Sequence, residues 1–116
     1  MPDRRYQGLT LRVLGKRRPA MGPGKAELIE RIAAGGSISA AARAMGMSYR
    51  RAWQLVEALN KDYRERVVAT AAGGARGGGA RVTPFGLRLV AEYRAMEDKA
   101  SKAIASDLRR FKRYIP

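Results

Sequence analysis

The chain of 116 residues contains neither cysteine nor histidine. Without cysteine there is no disulfide, no thiolate metal site and no cysteine nucleophile. Without histidine the usual general acid–base group, the histidine-containing triads and the commonest metal ligand are missing. Acidic residues are scarce: 10 Asp and Glu stand against 24 Lys and Arg, a net charge of +14. They are scattered rather than paired, so an enzyme is not expected, and neither is a metal or other cofactor. No apolar run approaches the roughly 18 residues that a membrane span needs. The N-terminal stretch has no apolar segment of signal-peptide length, so Arg4-Arg5 is a poor export signal. No membrane partner is expected.

What is present is a folded, basic domain. Hydrophobic residues make up 46 % of the chain, against the low hydrophobicity of a disordered tail. The positive charge is spread along the whole length, and residues 66–82 carry three basic residues and no acidic one. Such a field raises the local concentration of a polyanion, above all nucleic acid. Anionic lipid would need a basic amphipathic helix, which only the C-terminal segment offers.

The pattern along the chain predicts a short strand, three helices, a hairpin and a long helix. Leu9, Leu11 and Val13 alternate with Thr10 and Arg12, which reads as a half-buried strand followed by a basic turn at Lys16–Pro19. Gly22-Pro23-Gly24 reads as a loop. From Lys25 the spacing becomes helical, with Leu28, Ile29, Ile32 and Ala33 on one stripe, until Gly35-Gly36 stops it. Ser37 or Ser39 can cap a short second helix that Gly46 ends. Ser48 caps a third, running to about Lys61 with Ala52, Leu55, Val56 and Leu59 on its core face.

Residues 38–57 carry the functional signal. A helix-turn-helix needs a small residue where its helices approach, here Ala42, and a glycine four positions on, here Gly46, for the turn. Ala41, Met45, Met47, Ala52 and Leu55 supply the buried positions that flank it. The second helix of such a motif enters the major groove with its N-terminal residues at base edges. The candidates there are Ser48, Tyr49, Arg50, Arg51 and Gln54, with Ser37 and Ser39 at the start of the helix before. Arg pairs with guanine and Gln with adenine, although many contacts of this kind go to phosphate. Tyr49 and Trp53 are expected to be partly core.

The glycine-rich stretch 71–80 is read as the tip of a hairpin, or wing, between strand-like segments 66–70 and 81–83. It lacks the Lys and Ser or Thr of a phosphate-binding loop, so nucleotide binding is not expected. Gly74, Gly77 and Gly78 let bare backbone approach a sugar-phosphate rail, and Arg76 and Arg81 supply charge. Thr83-Pro84 then starts a helix. Leu89, Tyr93, Met96, Ala100, Ile104, Leu108 and Phe111 form an apolar stripe along residues 84–112. One helix of that span is roughly 43 Å long at 1.5 Å per residue, more than so small a domain can cover. A second copy of the same helix is the simplest partner, making these seven residues the expected dimer interface.

The fold class expected is thus mostly α with a small β-hairpin: a winged helix-turn-helix with an N-terminal strand and a long C-terminal dimerisation helix. The DNA-binding domain is expected over residues 1–83, with the helix-turn-helix at about 37–61 and the wing at about 66–83. The long helix follows at 84–112 and a tail at 113–116.

The run GSISAAARAMGMSYRRAW, then ALN, then TAAGGARGGGARVTPFG, resembles the N-terminal DNA-binding domain of the ModE family, molybdate-responsive bacterial regulators with a LysR-like winged helix-turn-helix. The LTLRV and GPGKAELIERI segments fit the same family, so the likeness covers about residues 7–98. The resemblance implies a homodimer on a palindromic operator, with Ser48, Tyr49 and Arg50 facing the major groove and the 73–81 wing on the backbone or minor groove. Family members continue into an oxyanion-binding domain, which is not found before Pro116, and the residues present form no closed cage for the anion. Molybdate binding by these residues is therefore not expected. A one-domain regulator, a sensing domain on another chain and a shortened chain are the three alternatives, of which the FKRYIP ending, similar to an ordinary chain end, favours the first.

The reading is a sequence-specific, homodimeric regulator that binds double-stranded DNA, cytoplasmic and nucleoid-associated. The charge alone also fits an architectural protein that binds DNA without sequence preference, and the fold also fits a protein-interaction module.

Overall fold

The computed structural model describes residues 8–70 and 79–116. A first hairpin pairs β1 (Val13–Leu14) with β2 (Pro19–Met21), with Gly15 N donating to Arg18 O across the basic turn at 3.0 Å. Then follow α1 (Pro23–Gly35), α2 (Ile38–Ala44) and α3 (Tyr49–Asp62). A second hairpin of β3 (Val68–Thr70) and β4 (Ala80–Val82) leads into α4 (Pro84–Ala103) and α5 (Ala105–Phe111), and a 3-10 turn covers Lys112–Tyr114. This is the expected mostly α, winged-helix-like architecture.

The core lies where α1, α2 and α3 meet the second hairpin and α4. Leu28, Ile29 and Ile32 of α1 pack with Ile38, Ala41 and Ala42 of α2 and with Ala52, Val56 and Leu59 of α3. Val67, Val68, Val90 and Tyr93 close it from the wing side. Met45, Met47 and Leu55 reach only its edge. Ala33, expected on the α1 stripe, is exposed. Gly36 ends α1 in the left-handed region at φ 72°, and its carbonyl then accepts from Ala80 N at 2.9 Å, docking β4 against the end of the helix.

Three local expectations need correction. The N-terminal strand is only two residues long, because the register shifts between Val13 and Leu14 and β2 offers few partners. Leu11 alone packs on the core, while Leu14 is 76 % exposed. β2 begins at Pro19, read as the end of the basic turn, and runs through Ala20 and Met21, for which no strand was expected, and α1 starts at Pro23 rather than Lys25. Proline lacks the N–H that a first helical position leaves unused, and Gly22 precedes it in extended backbone.

The third concerns the long helix. It is interrupted at Ile104, whose φ of −110° and ψ of 14° leave helical geometry, so α4 and α5 are separate. Beyond the break Leu108 is half-buried, and a Cβ on Gly8 would lie 3.1 Å from its Cδ2. The C-terminal segment thus finds part of its packing on the chain's own N-terminal end. Among the described residues no helix is long and apolar enough to cross a membrane.

Candidate nucleic-acid interface

The helix-turn-helix is built by two serine caps and one glycine. Ala40 N donates to Ser37 Oγ at 3.0 Å and Arg51 N to Ser48 Oγ at 3.0 Å, so both helices start with an orphan donor satisfied. Ser37 takes the capping role, and Ser39 is exposed in the first turn of α2. Between the helices Gly46 adopts φ 66°, and Met47 N donates to Ala42 O at 3.0 Å. Ala41 and Ala42 are buried, as a close helix approach demands.

α3 buries Ala52, Val56 and Leu59 and turns its opposite side to solvent. Arg50 and Gln54 lie on that outer side, and Arg51 stands on its flank, all exposed. Among the described residues no carboxylate pairs with Arg50 or Arg51. Nothing among the described residues takes up the bidentate capacity of their guanidinium groups, which suits a base edge or a phosphate. Tyr49 and Trp53 are 53 % and 40 % exposed, so the expectation that they are partly core does not hold. Ala52 and Val56 already fill the space beneath α3, and the two aromatic rings lie on the rim beside Arg50.

The flank of α3 nearer the wing is tied down by a residue the sequence reading missed. Asn60 Oδ1 accepts from Val67 N at 2.8 Å and Val68 N at 3.0 Å, and its Nδ2 donates to Val68 O at 3.0 Å. The amide copies one rung of a strand and so hangs the second hairpin on α3. The only signal was its place beside Leu59 at the end of the core stripe. Arg81 of β4, opposite Ala69, is exposed on the wing. Gly74, Arg76, Gly77 and Gly78 lie outside the described residues.

The first hairpin is clasped to the end of α3. Arg18 Nε and Nη2 grip Asp62 at 2.8–3.1 Å, and Tyr63 donates to Ala20 O at 2.8 Å. The Arg18 hydrogen bonds hold the Asp62 carboxyl below the ordinary carboxylate range, while burial pushes the Tyr63 phenol up. Arg18 is thereby engaged within the chain, unlike Arg50 and Arg51.

The apolar stripe of the C-terminal segment divides in two. Tyr93, expected at a dimer interface, is 2 % exposed and donates to Leu11 O at 2.6 Å. It belongs to the chain's own core, because its ring closes the gap between α4 and the N-terminal segment. Leu89 packs against the same core. Ala100, Ile104 and Leu108 are half-buried, whereas Met96 and Phe111 are 45 % and 62 % exposed. Leu87, Tyr114 and Ile115 are exposed as well, which the spacing did not indicate. Arg94 joins α4 to α1, binding Glu30 through two hydrogen bonds of 3.0 and 2.7 Å and Glu97 through one of 2.7 Å. Among the described residues no group of three or more Asp and Glu is placed to hold a metal.

No family profile matches the chain. Individual relatives do. Over 100 residues it is 43 % identical to the molybdenum-pterin-binding protein MopB of Rhodobacter capsulatus, covering 86 % of the chain and 36 % of that protein. Over 85 residues it is 38 % identical to the molybdenum transport protein ModE of Azotobacter vinelandii, covering 73 % and 32 %. Over 81 residues it is 37 % identical to the DNA-binding transcriptional dual regulator ModE of Escherichia coli K12, covering 70 % and 31 %. The chain spans about a third of the length of the curated relatives it matches.

Proposed function

Because the chain is ModE-like, we propose that it is a sequence-specific DNA-binding regulator of transcription, acting as a homodimer on a two-fold symmetric operator. The observation that carries this is the outer side of α3. Arg50 and Gln54 stand exposed there, near the start of a Ser48-capped helix, with no carboxylate taking up Arg50 among the described residues. Arg and Gln are the side chains that make bidentate pairs with guanine and adenine. The body of the protein, residues 8–83, presents this helix. The exposed Met96 and Phe111 on α4 and α5 join two copies, and each copy meets one half-site. Tyr49 and Trp53 flank the base-reading positions, and Arg81 approaches the neighbouring backbone from the wing. Such a protein sits on the nucleoid in the cytoplasm.

A second reading is favoured by one observation, the net charge of +14. A field of that size supports binding to any duplex without reading its sequence. Selection of bound sequences from a random duplex pool at roughly physiological salt, with and without molybdate, separates the two. A two-fold symmetric motif is expected. Recovery of no motif, with binding that falls steeply as salt rises, would move the protein to an architectural role.

A further inference from the structure

One flank of α3 opens into a cleft of about 760 Å³, on the side away from Asn60 and the wing. Arg51 and Gln54 form its α3 wall, and Arg12 and Lys25 stand across from them. Its floor is apolar, with Met21, Met45, Met47 and Leu55 among its lining. Arg12 and Arg51 have no carboxylate partner among the described residues. Lys25 spends one N–H on Pro19 O at 2.6 Å and keeps two. Its ammonium is pushed below the ordinary lysine range, first by burial and then by the charges of Arg18, Arg12 and Arg51, against an opposing pull from Asp62. The nearby Asp62 is itself engaged by Arg18. Cations brought together over an apolar floor, with Asp62 the one carboxylate acting on Lys25 among the described residues, favour an anionic ligand.

We propose that Arg12, Lys25 and Arg51 grip the sugar-phosphate backbone of the DNA strand that borders α3 on the side away from the wing. The proposal rests on the DNA-binding reading above. A deoxyribose-phosphate chain matches both parts of the cleft: its phosphates meet the cations on the rim, and its sugars lie over the methionine and leucine floor. The major groove has a backbone on each border. The wing attends one of them, and this cleft attends the other. Arg51 then takes a phosphate, which leaves Arg50 and Gln54 to the bases. The first hairpin, fastened to α3 by Arg18–Asp62 and Tyr63–Ala20, holds Arg12 and the start of α1 at a fixed distance from the recognition helix.

The test measures affinity for a random-sequence duplex against salt, using the full chain. Each phosphate contact contributes about 0.9 to the slope of log K against log salt. Arg12→Gln should flatten the slope by about 0.9, and Arg12→Gln with Arg51→Gln by about 1.8. Lys99→Gln with Lys102→Gln removes the same charge from α4 and should leave the slope as it is. Thermal unfolding of each variant confirms the fold, and both arginines are exposed. A slope that is unchanged in the Arg12 and Arg51 variants, with the wild type binding normally, overturns the cleft and leaves the DNA reading standing. So does an equal flattening in the α4 variant. A wild type without salt-sensitive duplex binding overturns the DNA reading and the cleft together. Inorganic phosphate that shifts the Lys25 amide resonance, while duplex leaves it unmoved, reassigns the cleft to a free oxyanion and overturns the proposal.

Discussion

Asn60 and Val68 exchange two hydrogen bonds of 3.0 Å, side-chain amide against backbone, across the seam between α3 and the second hairpin. With the third bond from Val67 N, one amide fixes the wing's root and the helix's last turn in a single unit. The angle between the two proposed DNA-contacting elements therefore depends on a residue whose amide is taken up inside the protein.

Asn60→Leu should leave the Val67 and Val68 N–H groups without a partner. A buried unsatisfied donor costs about 1–3 kcal/mol, so for the two a loss of about 2–6 kcal/mol is expected in urea unfolding. A loss under about 0.5 kcal/mol would mean that water or a neighbouring carbonyl replaces the amide.

Gly86 sits in the first turn of α4, where an added Cβ would lie 2.5 Å from Val67 O and 2.7 Å from Val82 Cγ1. Gly86→Ala should destabilise by about 1–3 kcal/mol, although alanine is the better helix former. Gly24→Ala is the contrast, since nothing lies within 4 Å of its added Cβ. It should be neutral or stabilising by about 0.4–1 kcal/mol. Thermal unfolding of the pair checks the difference in sign.

The Tyr93 phenol is pushed up to about 12, first by burial and then by the negative charge of Glu97. A raised folded value means that its contribution is complete below the ordinary tyrosine value near 10. That contribution is lost as pH climbs from there toward 12. Alkaline difference absorbance should therefore show Tyr93 titrating last, above Tyr63, which burial also raises, and above the exposed tyrosines, with stability falling in the same interval. Tyr93→Phe removes the late-titrating step. Titration of every tyrosine near 10 would contradict the burial of Tyr93.

Arg50→Ala should weaken the selected operator by about 1–3 kcal/mol and random duplex much less. Arg51→Ala should weaken both alike. Titrations of the two duplexes at one salt concentration distinguish them, and a uniform loss for Arg50 would deny it a base-reading role.

Met96→Glu places a charge on the exposed part of the apolar stripe. Sedimentation equilibrium should show a dimer for the wild type and a monomer for the variant, each with unchanged helical circular dichroism. A wild type that sediments as a monomer throughout would remove the proposed interface.

Local chemistry made much of this protein legible in its sequence. Ser37, Ser48 and Thr83 announce helix starts because a hydroxyl can satisfy an orphan N–H whatever the rest of the chain does. Gly36 and Gly46 announce a stop and a turn because few other residues adopt positive φ readily. The period of Ala52, Val56 and Leu59 names the buried side of α3, and its complement names Arg50 and Gln54 as outward. Other features depend on groups distant in sequence meeting in space. Tyr93 looked like an interface residue because spacing alone cannot tell one apolar partner from another, and Leu11, 82 positions away, claimed it. Tyr49 and Trp53 looked like core because nothing local reveals that Ala52 and Val56 already fill the space under α3. Asn60 has only its place beside Leu59 as a local signature, and the Arg12–Lys25–Arg51 cleft has none, since each exists only where separate elements pack together. Composition, caps and periodicity determined the order of the main helices and the second hairpin, and the outward side of α3. The tertiary structure decided which apolar side chains are used internally and which cations stand together, because burial and charge crowding are properties of neighbours in space.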